Sequence, residues 1–189
     1  PPADFTVGLL TPTGGNQVDG MWNLTNTGMD IIIPVANDTT LKNGTVQLYG
    51  KVGSNSFEVL GSISTILSNE INANKTIPIS GTLIEGLTGF SEGQRIYIKA
   101  AMNDRPGNIT EGSQSITEIL IDETPASITP ISILSSNNNT ALAKVRDTVS
   151  VSFTTSENLI DTVATISGQN AIITSLSGNQ FVAVYVMDE

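Results

Sequence analysis

Cysteine and histidine are both absent from these 189 residues. Without cysteine there is no disulfide, no thiolate nucleophile and no sulfur-ligated metal. Without histidine, Ser-His-Asp and Cys-His nucleophile activation, imidazole-ligated zinc and the usual neutral-pH general base are excluded. An enzyme would have to work with carboxylates, lysine, tyrosine and hydroxyls alone, so the expectation is a protein without catalytic activity. Basic residues are also scarce, 8 against 18 acidic, for a net charge of −10. A surface so charged repels phosphate backbones and suits cations, so nucleic acid is not an expected partner. Long apolar runs are missing as well. The longest, MDIIIPVA, is interrupted by Asp30 and Pro34 and falls far short of the roughly 20 residues that span a bilayer, so no direct membrane insertion is expected. The chain opens PPADF, with neither Met nor a signal-peptide pattern, and reads as a mature or excised piece.

What is present in quantity is Ser, Thr, Asn and Gly, arranged in strand-like alternation. In TVSVSFTTSE, Val149, Val151 and Phe153 fall on one face and Ser150, Ser152 and Thr154 on the other. TVQLYGKV sets Val46, Leu48 and Val52 against Gln47, Tyr49 and Lys51, and RIYIKAAM sets Ile96, Ile98, Ala100 and Met102 against Tyr97, Lys99, Ala101 and Asn103. Period-two alternation of this kind places one face on a core and one in water. QFVAVYVMD is apolar on both faces, which predicts a central strand. Turn signals at 13–16, 42–44, 53–55, 105–108 and 177–179 recur at the close spacing of an all-β sandwich. Only SISTILSNEINAN, with Ile63, Ile66, Leu67 and Ile71 loosely at helical spacing, predicts a short helical edge element.

The stretch from Ile119 to Ile121 ends in Asp-Glu-Thr-Pro, and Pro125 lacks a donor and biases Thr124 to an extended conformation. That predicts a short stiff connector between a domain at 25–122 and a second at 126–189. The second has about 64 residues, fewer than the roughly 100 of a complete seven-stranded sandwich, so it is expected to be partial, either truncated or completed by another strand. Residues 1–24, with Phe5, Val7, Leu9, Leu10 and Trp22, are expected to be an N-terminal segment or the end of a preceding domain, or else the first strand of the 25–122 domain.

Specific residues then carry a resemblance. SSNNNTALAKVRDTVSVSFTTSENL, followed by ATISGQNAIITSLSGNQFVAVYVMDE, resembles the Ig-like repeats of large secreted bacterial and archaeal surface proteins. Those repeats have an Asn-rich turn, an Ala-Lys-Val-Gly-Asp-Thr-Val strand start, a Phe-Thr-x-Ser-Glu strand exit and an aromatic-rich later strand. The likeness covers nearly all of 126–189 and departs at Arg146, where glycine is usual. FSEGQRIYIKAAMNDRPGN and LIDETPA are similar to the closing strand, turn and connector of the same class. The resemblance implies tandem Ig-like β-sandwich domains at the extracellular cell surface. It implies a structural part of an assembly such as an S-layer, stalk or filament, self-associating or contacting neighbouring domains of the same protein. Two alternatives stay open: an adhesin spacer or binding module with a glycan or protein ligand, and an accessory domain of a secreted hydrolase.

Candidate sites follow from residue type. Glu92, Asp104, Glu111, Asp122 and Glu123 fall in turns or at the domain boundary, where loops of a sandwich cluster. Carboxylates with Asn and backbone oxygens can supply the six to eight oxygens of calcium, and these five are the candidate ligands. Asn23, Asn37, Asn43, Asn74, Asn108 and Asn138 each begin an Asn-x-Ser/Thr sequon and are candidate N-glycosylation sites. Lys51, Lys99 and Lys144 are available for a Lys–Asn isopeptide bond. Tyr97 and Trp22 are candidate carbohydrate-stacking aromatics, with corner or core positions as the competing reading.

Overall fold

The computed structural model describes residues 1–157, 159 and 162–188, with Pro130 described by its backbone alone. The chain is mostly β, 46% strand and 6% helix, with several antiparallel sheets. It divides into two compact units, Pro1–Thr124 and Pro125–Glu189. Among the described residues no helix is long and apolar enough to cross a membrane.

The first unit contains β1 (Leu10–Thr13), β2 (Met21–Trp22), β3 (Gly28–Val35), β4 (Thr45–Val52), β5 (Glu58–Thr65), β6 (Ala73–Ser80), a single short helix α1 (Gly81–Glu85), β7 (Arg95–Asn103), β8 (Ile109–Glu111) and β9 (Ile119–Ile121). Residues 1–24, set apart in the sequence, are built into this unit through β1 and β2. One sheet has the order β1-β3-β6; the other runs β2-β9-β7-β4-β5, with β8 paired to β7. All pairings are antiparallel except β2 with β9.

Alternation decides which face each strand buries. In β3, Met29, Ile31, Ile33 and Val35 point inward, and in β7 so do Ile96, Ile98, Ala100 and Met102. With Val46, Leu48 and Val52 of β4, Leu60 of β5, Ile77 and Ile79 of β6 and Trp22 of β2, they form one hydrophobic cluster supplied by both sheets. Each fully buried side chain of this size contributes about 1.5–3 kcal/mol of burial free energy. Pro34 is tolerated in β3 because β1 pairs only as far as Ile31, leaving Pro34 where the strand has one neighbour.

The expected helical element at SISTILSNEINAN is corrected. β5 continues to Thr65, which pairs with Thr45, and only Ser68–Glu70 forms one 3-10 turn before β6 begins. Sheet pairing overrides the loose helical spacing there. The α-helix lies instead at Gly81–Glu85, where the Gly81 N–H donates to the Thr27 carbonyl at 2.7 Å.

In the second unit, β10 (Ile128–Ser135), β11 (Thr148–Thr155), β14 (Ile172–Ser175) and β15 (Gln180–Val186) form one sheet in the order β10-β11-β15-β14, and β12 (Thr165–Ile166) pairs with β13 (Gln169–Asn170). β15 is thus an interior strand. Register puts Ile131, Phe153 and Phe181 in one row across the sheet, and Ile133, Val151 and Ala183 in the next. The Phe153 and Phe181 rings stack at 5.5 Å. Buried apolar side chains in the described residues of this unit are Val149, Phe181 and Ala183, while Ile131 and Ile133 are more than half exposed. Arg146, where the resembling repeats carry glycine, has φ +74°, a left-handed conformation that costs a non-glycine residue about 1–2 kcal/mol.

Candidate functional site

The outward face of β4 and β7 is set by the same alternation that builds the core. Tyr49 and Lys51 on β4 stand opposite Lys99 and Tyr97 on β7. Phe57, just before β5, joins them. The Lys51 ammonium lies 5.0 Å from the Phe57 ring centre and 5.1 Å from that of Tyr97, and Lys99 lies 5.2 Å from Phe57 and 5.6 Å from Tyr49. Cation–π attraction at such distances is worth about 0.5–1 kcal/mol each at exposed sites. Lys99 also pairs with Glu111 at 2.9 Å, and Arg95 with Glu118 at 2.8 Å.

Tyr97 further borders a groove of about 680 Å³, lined by Leu9, Leu10, Thr11, Asp19, Gly20, Gln114, Ser115, Ile116, Thr117 and Glu118. Three separate stretches of chain meet here, and backbone bonds fix them. The Leu10 N–H donates to Thr117 Oγ1 at 3.0 Å, the Ser115 N–H to the Ile98 carbonyl at 2.7 Å, the Ile116 N–H to the Val7 carbonyl at 3.1 Å and the Leu120 N–H to the Gly20 carbonyl at 2.9 Å. The Glu118 carboxylate beside the Tyr97 phenol, followed by burial, pushes the Tyr97 pKa above the ordinary tyrosine value.

The five expected calcium ligands are not brought together. Glu92 precedes β7 and Asp104 follows it, so a nine-residue strand separates them, about 30 Å at roughly 3.3 Å per residue. Glu92 and Asp122 do meet: burial first, then the charge and carboxyl contact of Glu92, push the Asp122 carboxyl above the ordinary range. Glu123 contributes its backbone N–H, donating to Glu92 Oε2 at 2.8 Å. Asp104 is spent on its own turn, accepting from the Asn108 N–H at 2.7 Å and Asn108 Nδ2 at 2.8 Å, with the Pro1 ammonium at 3.9 Å. Burial alone would raise its carboxyl pKa, and these donors and the ammonium outweigh burial and lower it. Glu111 is paired with Lys99. Among the described residues no group of three or more acidic side chains is placed to hold a metal ion.

The sequons divide by how their amides are used. Asn37, Asn43, Asn74 and Asn138 are exposed. Asn23 Nδ2 instead donates to the Asn16 carbonyl at 2.7 Å, and Asn108 Nδ2 to Asp104. Trp22 is fully buried and offers no stacking face. Lys51 and Lys99 point outward, and Lys144 is exposed. The buried lysine is Lys75, which the sequence reading passed over: its ammonium binds both Glu70 oxygens, at 2.9 and 3.0 Å, and the Thr65 carbonyl at 3.0 Å. Its position in an inward-facing register beside Ile77 and Ile79 is the signal that could have found it. The groove residues gave no such signal, because residues 9–11, 19–20, 97 and 114–118 are joined only by folding.

Comparisons with protein families and with curated proteins return no match.

Proposed function

We propose that this chain is a structural component of an extracellular cell-surface assembly such as an S-layer, stalk or filament, built from Ig-like β-sandwich domains in tandem. The observation that carries this reading is the first unit's strand order. A β1-β3-β6 sheet packs on β2-β9-β7-β4-β5 over one core, which agrees with the two-sheet plan of an Ig-like sandwich. The absence of histidine and cysteine and the net charge of −10 suit an exposed scaffold more than a catalyst. Architecture of this type is reused for many roles, so the test must read assembly itself. Electron microscopy of native material, with calcium and after chelation, is expected to show an ordered sheet or filament. Isolated particles under both conditions would overturn the reading. The second reading, an adhesin module, is favoured by one feature, the groove beside Tyr97.

A further inference from the structure

We propose that the groove between the start of β1, the 114–118 segment and Tyr97 is a binding site for a neutral saccharide, with Tyr97 and Ile116 as its apolar wall and Thr11, Asp19 and Gln114 as its hydroxyl-binding groups. Its volume of about 680 Å³ lies in the range of small-ligand sites, about 300–1,000 Å³. The groove is formed in advance, since the backbone and Thr117 bonds described above hold its three walls without any ligand, and little ordering is left for binding to accomplish.

The lining chemistry selects the ligand class. Leu9 and Ile116 are 53% and 67% exposed, so two aliphatic side chains stand open to solvent at the groove, and the Tyr97 ring adds a rigid aromatic surface. Around them, Thr11, Asp19 and Gln114 make no side-chain hydrogen bond to the chain among the described residues, and all three are exposed. A pyranose ring presents that same alternation, an apolar face of C–H groups bordered by hydroxyls that donate and accept. Anionic ligands are disfavoured because the lining holds two carboxylates and neither lysine nor arginine. A cationic ligand is the weaker fit, because Glu118 is already paired with Arg95 at 2.8 Å, leaving Asp19 as the groove's single unpaired charge.

The inference does not rest on the surface-assembly reading. It is tested by amide chemical-shift mapping of the full chain with three neutral probes, cellohexaose, mannohexaose and chitohexaose, and with pentalysine as the cationic control. The expected result is saturable shifts at Thr11, Gly20, Ile116 and Thr117 with at least one hexasaccharide. Tyr97→Ala and, independently, Asp19→Ala should weaken binding by about tenfold or more. Asp19 lies on an exposed turn, so its variant keeps the test intact if Tyr97→Ala fails to fold. The proposal is overturned if no hexasaccharide shifts these amides at about 10 mM, if both variants bind as the parent does, or if only pentalysine binds. Any of those outcomes leaves the assembly proposal to its own microscopy test.

Discussion

Replacing Glu70 with alanine is expected to destabilise the first unit far more than replacing its partner Lys75 with methionine. Lys75 is 6% exposed on the inward side of β6, while the Glu70 side chain is 18% exposed at the rim. In Glu70→Ala the ammonium stays inside with the Thr65 carbonyl as its remaining partner among those observed. Breaking a buried pair from one side costs about 3–5 kcal/mol, and the partial exposure of Glu70 places this case at the lower end, about 3 kcal/mol. In Lys75→Met the apolar stem is retained and Glu70, still accepting the Leu67 N–H at 2.7 Å, turns toward water. The loss is then mainly the Thr65 carbonyl's bond, about 1 kcal/mol. The double variant is expected near Lys75→Met alone, a coupling of about 2–3 kcal/mol. Trp22, the single tryptophan, is fully buried in this unit, so its fluorescence during urea unfolding reads this unit alone. Equal losses in the two single variants, or a Glu70→Ala loss under about 1 kcal/mol, would refute the asymmetry and with it the claim that the ammonium is trapped. The pH dependence gives a second check. Burial raises the Glu70 carboxyl, but the Leu67 N–H and Lys75 outweigh it, and the net pKa lies below the ordinary 4.5. A depressed carboxyl contributes stability that is complete above its unfolded value and lost as pH falls through the folded one. The parent's advantage over Glu70→Ala should therefore shrink below pH 4.5.

Other outcomes follow from the same geometry. Arg146→Gly is expected to stabilise the second unit by about 0.5–1 kcal/mol, the relief of a left-handed arginine less the added freedom of glycine in the unfolded chain. Slower amide exchange along β15 checks this, and faster exchange would refute it. Glu92→Gln should raise the Trp22-monitored midpoint at pH 7, because it keeps an acceptor for the Glu123 N–H while removing the charge that opposes ionisation of Asp122. With the Asp122 carboxyl raised from its ordinary 3.8, the gain should appear as pH rises through the folded value and be absent below 3.8; a gain equally large in acid would sink the argument. Glycopeptide mapping of native material should place any N-glycan at Asn37, Asn43, Asn74 or Asn138, and occupancy at Asn108 in folded protein would contradict the turn bond from its amide to Asp104.

Strand identity was legible wherever alternation was strong. TVQLYGKV and RIYIKAAM read directly as β4 and β7, with Val46, Leu48, Ile96 and Ile98 on the core face, because a period of two depends on local sequence alone. The turn at Arg105-Pro-Gly-Asn was equally local: Gly107 adopts a positive φ, and Asp104 closes the turn by accepting from the Asn108 N–H. Asn-x-Ser/Thr sequons, the absence of histidine and cysteine and the charge balance needed no structure.

Tertiary structure alone decided which distant stretches meet. Carboxylates alike in sequence context were separated by the length of β7: Glu92 joined Asp122, while Asp104 and Glu111 found partners of their own. Lys75 became buried because β6 pairs with β3 in a register that turns it inward, and register is a property of two strands, not one. Tyr97 and Trp22 looked equivalent as free aromatics. Sheet pairing buried Trp22 beside β9 and left Tyr97 outward, where residues 77 to 88 positions before it and 17 to 21 after it in the chain complete the groove around it.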